Sequence, residues 1–253
     1  MNNTILLLFP AINVIVTGLF AGVVLKQYLR RHHQYQLYWA IALIMAFLAT
    51  LAYVFMIVLQ PTSTPGVLLF RIYYVLGAAL MPSWLGLGSI ALVSSRRLTY
   101  ICLTVLYILS ALATALVLFA GIDMQKLSQI AGTPGAGILY PGAWLVMVIV
   151  LNTLGVVAVV GVAIYSGWKL VRRASGTPNV SGSNLLRANV LIMVGALLNG
   201  AAGSLARFLG IQSAFWLIMC VGWIVFFIGV LLAGRRPQAA ATAVESKEAV
   251  GRL

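Results

Sequence analysis

Residues 37–59, LYWAIALIMAFLATLAYVFMIVL, contain no charged side chain and almost no polar one. A helix of about 20 residues, rising 1.5 Å per residue, crosses the hydrocarbon core of a bilayer. Lipid offers no hydrogen-bond partner to the backbone, so an apolar run of this length satisfies its N–H and C=O groups as a helix. The segment therefore predicts a transmembrane helix.

The whole chain has the same character. Its 253 residues are 62% hydrophobic and 8% charged, whereas about 25% of residues are charged in a soluble domain. We expect an all-α membrane protein with the lipid bilayer as its solvent: a seven-helix transmembrane bundle over residues 1–234, then a disordered cytoplasmic tail over 235–253. The predicted spans cover residues 5–25, 37–59, 67–93, 98–120, 142–170, 188–209 and 214–233.

The net charge of +13 is distributed unevenly along the chain. In a soluble protein such an excess suggests a nucleic-acid partner, but here 13 of the 16 basic residues fall on one side of the predicted spans. This is the positive-inside pattern, which predicts an outside N-terminus and a cytoplasmic C-terminus, so the basic excess needs no nucleic-acid partner. The other side holds Arg71, Lys126 and Arg207. We expect the plasma membrane of a bacterium as the location.

Two connections are longer than the others. Residues 121–141, GIDMQKLSQIAGTPGAGILYP, contain Asp123 and a Gly-Thr-Pro-Gly turn signal. This outer loop either caps a pocket that opens outward or is a passive connector. On the cytoplasmic side, residues 172–187 are small, polar and basic, which predicts a flexible link.

The third span carries an arginine near its outer end. Arg71 can extend to the lipid headgroups as an anchor beside Tyr73 and Tyr74, a pair typical of the aromatic belt. Alternatively it turns into the bundle, where it binds an anion or pairs with Asp123, because membrane arginines often face the interior.

Pro82 lies near the middle of the same span. It has no N–H to donate to the carbonyl of Ala78, so we expect a kink, with Ser83, water or a neighbouring helix hydrogen-bonding the freed group. A kinked helix rich in glycine often borders a cavity, although plain helix packing also explains these residues.

Asparagines in other spans add polarity near mid-membrane. In the sixth span Asn199, Gly203 and Arg207 are four residues apart and form one stripe. These groups either line an outward-facing pocket or hydrogen-bond neighbouring helices. The candidate ligand-pocket residues are Arg71, Tyr74, Pro82, Asn13, Asn152, Asn199 and Arg207.

Chemistry inside the membrane has little support in the sequence. No Asp or Glu lies in a predicted span, which disfavours proton or sodium coupling through a carboxylate. His32 and His33, the two histidines, fall in a cytoplasmic loop without thiols or carboxylates nearby. We therefore predict no catalytic residue, metal or cofactor, and a protein that is not an enzyme.

The third span resembles the corresponding helix in the seven-transmembrane sensory region of some bacterial histidine kinases. The resemblance is carried by Arg71, Tyr74, Gly77 and Pro82, followed by basic residues 96 and 97. No kinase, cyclase or phosphatase domain follows, so the resemblance implies a sensor-like membrane module without its own output domain.

Three functions fit these features. The first is a receptor-like bundle that binds a small molecule or lipid and contacts a cytoplasmic protein partner, as the outer arginines and basic inner loops suggest. The second is a small-solute transporter or channel without carboxylate coupling, suggested by the glycine-rich first, third and sixth spans. The third is a structural subunit of a membrane complex.

Overall fold

The computed structural model describes residues 3–173 and 180–234. In these two ranges seven helices are long and apolar enough to cross a membrane, which confirms the predicted all-α, seven-helix fold. We number them as the first to seventh spans: Asn3–Arg31, Gln34–Val58, Thr64–Val93, Arg96–Phe119, Ala143–Arg173, Val180–Phe208 and Phe215–Gly234. A short helix, Met124–Ser128, lies in the loop between the fourth and fifth spans.

Two predicted segments fall partly or wholly outside the described residues. The predicted tail over residues 235–253 lies outside them, as do residues 174–179 of the predicted flexible link. The sixth span begins at Val180, so residues 180–187 are helical and the prediction of a flexible link is wrong for them. Helical hydrogen bonding continues past the apolar stretch, so hydropathy alone places this start too late.

Serine caps explain where two spans begin. The Ser63 hydroxyl accepts a hydrogen bond from the backbone N–H of Gly66 at 3.1 Å, with Pro65 in the first turn. The Ser95 hydroxyl accepts from the N–H of Leu98 at 3.4 Å. Each serine satisfies one of the backbone donors that the first turn of a helix leaves without a partner.

The helices pack around the third span. It contacts the second, fourth and fifth spans, and it is the most buried of the seven, with 61% of its most apolar window inside the protein. The sixth span pairs with the fifth and the seventh, and the seventh returns to the first, which packs on the second. The fourth span lies at the edge, against the third and fifth.

A glycine makes the closest contact between the third and fifth spans. A Cβ built on Gly155 would overlap the backbone carbonyl of Pro82. The absence of a side chain at this position therefore allows the fifth span to lie against the backbone of the third beside its proline, as is common for small residues in membrane helices.

The proline of the third span follows a π-helical segment, Tyr74–Leu80. Before it the span is α-helical over Thr64–Tyr73, and after it over Met81–Val93. The wider turn closes with the N–H of Met81 donating to the carbonyl of Leu76, five residues back. The disruption predicted at Pro82 thus takes the form of a seven-residue π-helical segment in the third span.

Candidate ligand cavity

A cavity of about 580 Å³, which we call the main cavity, lies inside the bundle. Its walls come from the second, third, fifth, sixth and seventh spans, and Pro134 and Ala136 of the outer loop line one end. The volume is typical of small-molecule sites, which are mostly apolar with few polar groups. The polar and aromatic lining residues are Thr50, Tyr73, Tyr74, Asn152, Thr153, Asn199, Ser204, Arg207, Phe208, Phe215, Trp216, Trp223 and Phe226.

Most of the residues predicted to form a pocket lie on this cavity. The structure brings together Tyr74, Pro82, Asn152, Asn199 and Arg207 along its walls. It places Arg71 and Asn13 elsewhere, in contacts between helices.

Arg207 provides a positive charge in the main cavity. Its Nη1 donates to the hydroxyl of Tyr74 at 3.4 Å, and its guanidinium carbon lies 5.0 Å from the centre of the Trp144 ring. Across residues 3–173 and 180–234, the recorded ion pair joins Lys126 to Asp123, so no carboxylate neutralises Arg207 there. A guanidinium has five N–H donors, which leaves several for an anionic group in the cavity.

The predicted stripe of the sixth span faces the main cavity as a unit. Asn199, Gly203 and Arg207 all line it. The Asn199 side-chain oxygen is buried, and no described residue donates to it. The amide fits against the seventh span because residue 222 is glycine, where an added Cβ would overlap it.

Asn152, which lies on the fifth span, stabilises the interrupted third span. Its Nδ2 donates to the carbonyl of Ala78 at 2.7 Å and to that of Val148, one turn back, at 2.9 Å. In an α-helical register the carbonyl of Ala78 would face the missing N–H of Pro82, and here a neighbouring helix supplies its donor. Ser83 instead donates to the carbonyl of Leu80 at 2.8 Å.

Tyr73 and Tyr74 correct the prediction of an aromatic belt at the headgroups. Each is 7% exposed, and both line the main cavity. The ring of Tyr74 lies edge-on to Trp144, with the centres 5.4 Å apart. Both rings point inward because this part of the third span is surrounded by other helices, whereas a belt requires a face exposed to lipid.

The outer loop closes one end of the main cavity. The Tyr53 hydroxyl donates to the carbonyl of Ile130 at 3.1 Å and accepts from the N–H of Gly132 at 3.0 Å. The Tyr73 hydroxyl donates to the carbonyl of Pro134 at 3.1 Å. Gly132 has a φ of +82°, which favours glycine in this turn. Of the two alternatives for this loop, the geometry fits a cap over the cavity.

Arg71 binds the end of the fourth span. Its guanidinium donates to the carbonyls of Val117, Leu118 and Ala120, at 2.9 Å to Val117 and 3.2 Å to Ala120. Val117 and Leu118 lie in the last turn of the fourth span and Ala120 directly follows it, so these carbonyls have no donor four residues ahead, although that of Val117 also accepts from the N–H of Ala120 at 3.3 Å. The helix dipole also favours a cation at this end. Arg71 therefore serves as a cap and does not line the cavity.

The predicted alternative of an Arg71–Asp123 pair is not what the structure contains. Asp123 caps the short helix of the outer loop, accepting from the N–H groups of Gln125 and Lys126 at 3.1 Å, and its other oxygen lies 3.5 Å from the Lys126 ammonium. The backbone N–H of Lys126 is the main cause that lowers the pKa of this carboxyl below its ordinary value. The anionic form of Asp123 is thus stabilised within its own loop.

Asn13 joins the first and seventh spans. It is 1% exposed, and its Nδ2 donates to the carbonyl of Trp216 at 3.2 Å and to that of Phe9 at 3.1 Å. This contact corresponds to the interhelical alternative for the asparagines.

Three aromatic residues that were not among the predicted pocket residues lie on or beside the main cavity: Trp216 lines it, whereas Tyr53 and Trp144 contact lining residues without lining it themselves. The rings of Tyr53 and Trp216 lie 4.5 Å apart between the second and seventh spans, and Trp144 packs against both Tyr74 and Arg207. The signal available was the concentration of Tyr and Trp in apolar stretches, since such residues need a polar partner when buried. Nothing in one sequence says which of them face inward.

A second cavity, of about 520 Å³, lies at the opposite end of the bundle. We call it the basic cavity, because Arg31 and Lys169 line it. Its walls come from every span except the fourth.

The chain matches no protein-family model, no curated protein and no solved structure. The resemblance of the third span to sensory regions of histidine kinases therefore stays a prediction.

Proposed function

We propose that the protein is a receptor-like seven-helix module, which binds a small amphiphilic molecule or lipid in the main cavity and acts through a cytoplasmic protein partner. The observation that carries the proposal is the position of Arg207, a cation without a carboxylate partner in the described residues, in the wall of a 580 Å³ apolar cavity.

The chemistry of the walls indicates the kind of ligand. Met81, Val148 and Met219 give the main cavity apolar walls that suit a hydrocarbon body. Arg207 and the hydroxyls of Tyr74 and Ser204 provide hydrogen bonds for a head group, and the positive charge favours an anion. An amphiphile with an acidic head satisfies both parts.

The third span supports a receptor role because it connects the cavity to the opposite end of the bundle. Its π-helical segment contributes Tyr74 and Gly77 to the cavity wall, and π-helical turns occur frequently at functional sites. The same helix continues to Val93, beside the basic cavity. A ligand that shifts the π segment therefore acts on a helix that ends where a cytoplasmic partner would bind, given the predicted orientation.

Thermal unfolding of the detergent-purified protein against a panel of anionic, zwitterionic and neutral amphiphiles tests the proposal. A ligand at 100 times its dissociation constant stabilises the folded state by about 2.7 kcal/mol. We expect an acidic amphiphile without a phosphate group to raise the unfolding midpoint, and the rise to be lost in Arg207→Gln but kept in Lys126→Gln, which removes an exposed cation of the outer loop.

A pair of glycines gives a matched steric control. A Cβ at Gly203 meets no atom within 4 Å, and Gly203 lines the main cavity, so Gly203→Leu fills the cavity while sparing the helix contacts. Gly161 also has open space around it but lies outside both cavities. We expect Gly203→Leu, and not Gly161→Leu, to abolish the ligand-induced rise; equal rises in both variants would count against the cavity.

Transport is the second candidate function, and the two cavities favour it. On the sixth span Ile192 lines the basic cavity and Ala196 the main one, and on the seventh Val230 and Phe226 do the same. Four residues correspond to about 6 Å of helix, so one turn separates the cavities. Uptake of labelled organic anions into proteoliposomes above the level of empty vesicles would favour a transporter over a receptor.

A further inference from the structure

The basic cavity is a half-open space that combines positive charge with buried polar groups. Arg31 at the end of the first span and Lys169 near the end of the fifth line it, and the Lys169 ammonium lies 5.9 Å from the centre of the Tyr165 ring, another lining residue. The described part of the chain has one acidic residue, Asp123, and it belongs to the outer loop at the other end of the bundle. The field in this cavity is therefore positive.

Three polar side chains on its walls carry buried atoms that lack hydrogen-bond partners among the described residues. They are the side-chain oxygen of Gln36, the indole N–H of Trp39 and the amide nitrogen of Asn189. A buried polar group without a partner destabilises the folded state, so nearby ligand atoms that complete these bonds gain binding energy. The set contains two neutral donors and one acceptor in addition to the two cations.

We infer that the basic cavity is a binding site for a phosphate-bearing anion. A phosphate presents several acceptor oxygens around one centre, which suits donors that approach from different helices. Three donors come from different helices, Arg31 from the first span, Lys169 from the fifth and Asn189 from the sixth. The indole nitrogen of Trp39, on the second span, lies against Gly88 of the third. A carboxylate has two acceptor oxygens in one plane and serves fewer of these directions.

The acceptor and the apolar residues define the rest of the ligand. The oxygen of Gln36 takes a hydrogen bond from a hydroxyl, either on the phosphate itself or on a glycerol attached to it. Ile192, Leu92 and Val230 add apolar surface to the cavity, on which hydrocarbon next to the phosphate can pack. Two sources share this chemistry: the headgroup of an anionic phospholipid, for which basic pockets between membrane helices are known sites, and a soluble phosphate compound.

This site is separate from the main cavity and does not depend on the function proposed for it. The two cavities share no lining residue, and Arg207 belongs to the main one. A variant that empties one site of its cation therefore leaves the other intact.

The test measures the thermal unfolding midpoint of the purified full chain in detergent with four additions. These are phosphatidylglycerol in mixed micelles, phosphatidylcholine at the same concentration, inorganic phosphate, and sodium chloride at matched ionic strength. We expect phosphatidylglycerol to raise the midpoint by about 5 °C or more at saturation, and phosphatidylcholine and sodium chloride to leave it nearly unchanged.

Two double variants separate the cavity from general charge. Arg31→Gln/Lys169→Gln removes both cations that line it, and Arg30→Gln/Lys26→Gln removes two cations from the same end of the first span that do not. We expect the cavity variant to bind the phosphate compound at least about tenfold more weakly than wild type, and the control variant to bind it as wild type does. Arg207→Gln should also bind it normally.

A rise with phosphatidylglycerol alone supports the site and identifies a lipid headgroup, and a rise with inorganic phosphate as well supports the site for soluble phosphate. Equal rises with phosphatidylcholine, equal losses in the two double variants, or no rise with either phosphate compound would overturn the inference. Native mass spectrometry of the lipid-bound protein checks the result for any variant with altered stability.

Discussion

At the scale of single residues, Asn152 and Pro82 act on one backbone carbonyl. The proline deprives the carbonyl of Ala78 of its helical donor, and the amide of Asn152 supplies another at 2.7 Å. The two residues lie in different spans, and the effect of changing one should therefore depend on the other.

A double-mutant cycle measures this dependence. We expect Asn152→Leu to lower the free energy of unfolding by about 1–2 kcal/mol, because it leaves a buried carbonyl without a partner. In the Pro82→Ala background the loss should be smaller by about 1 kcal/mol, since residue 82 then offers an N–H. Unfolding in mixed detergent titrations gives these values, and additive losses would contradict the assignment.

Arg71 is the residue whose role changed most on going from sequence to structure. We expect Arg71→Met to lower the free energy of unfolding by about 1–3 kcal/mol, because three carbonyls at the end of the fourth span lose a charged donor. Lys126→Met, which breaks an exposed ion pair in the outer loop, should cost about 1 kcal/mol or less. The same titrations test both, and loss of amphiphile binding with unchanged stability in Arg71→Met would instead place it in a ligand site.

At the scale of elements, the contact between the third and fifth spans depends on a glycine. Gly155→Ala should destabilise the protein by about 1–3 kcal/mol, because the new methyl group overlaps the carbonyl of Pro82. Gly161, two turns further along the same helix, has open space around it, so Gly161→Ala should leave stability unchanged or slightly raised. Thermal unfolding compares the pair; equal stability would mean that the fifth span shifts freely on the third.

The outer loop is the other element whose contacts can be tested. Tyr53→Phe removes one hydrogen bond to the carbonyl of Ile130 and one from the N–H of Gly132. We expect the amides of residues 130–133 to exchange about five- to tenfold faster, which corresponds to roughly 1 kcal/mol of local stability. Tyr140→Phe, at an exposed position of the same loop, is the control. Unchanged exchange in Tyr53→Phe would show that the loop is held by its apolar contacts alone.

At the scale of the whole molecule, the orientation in the membrane is predicted from the distribution of charge alone. In a Cys102→Ala/Cys220→Ala background, we expect Lys126→Cys to react with a membrane-impermeant maleimide in intact cells, and Arg97→Cys to react only after permeabilisation. Both positions are exposed; Arg97 lies at the start of the fourth span and Lys126 in the outer loop that follows its end. The reverse labelling pattern would mean that the protein is inserted in the opposite orientation, with each cavity on the other side of the membrane.

The number of membrane-spanning helices was predictable, because whether a segment forms such a helix depends on the composition of that segment. An apolar segment of about 20 residues becomes a helix in lipid whatever its neighbours do, so composition along the chain is sufficient. The start of the sixth span at Val180 was not predictable in the same way, since a helix can continue beyond the hydrocarbon layer into polar residues that hydropathy does not assign to the span.

Part of the candidate cavity was also predictable. Polar residues in a membrane helix tend to face the interior, which explains why Asn152, Asn199 and Arg207 line the main cavity. The same rule did not separate them from Arg71 and Asn13, which also face inward but bind backbone carbonyls of other helices. The difference depends on which helix lies opposite each side chain.

The sequence by itself determined that this chain is an all-α membrane protein with seven spans, and that one span is interrupted near Pro82. Backbone hydrogen bonding in lipid and the missing N–H of proline act within a single helix, so no partner has to be known. Only the tertiary structure decided that Asn152 donates to the carbonyl of Ala78, that Arg71 caps the fourth span and that two separate cavities lie about one helical turn apart. These features depend on the order of the helices around the third span, and that order is set by side-chain packing between segments far apart in the chain.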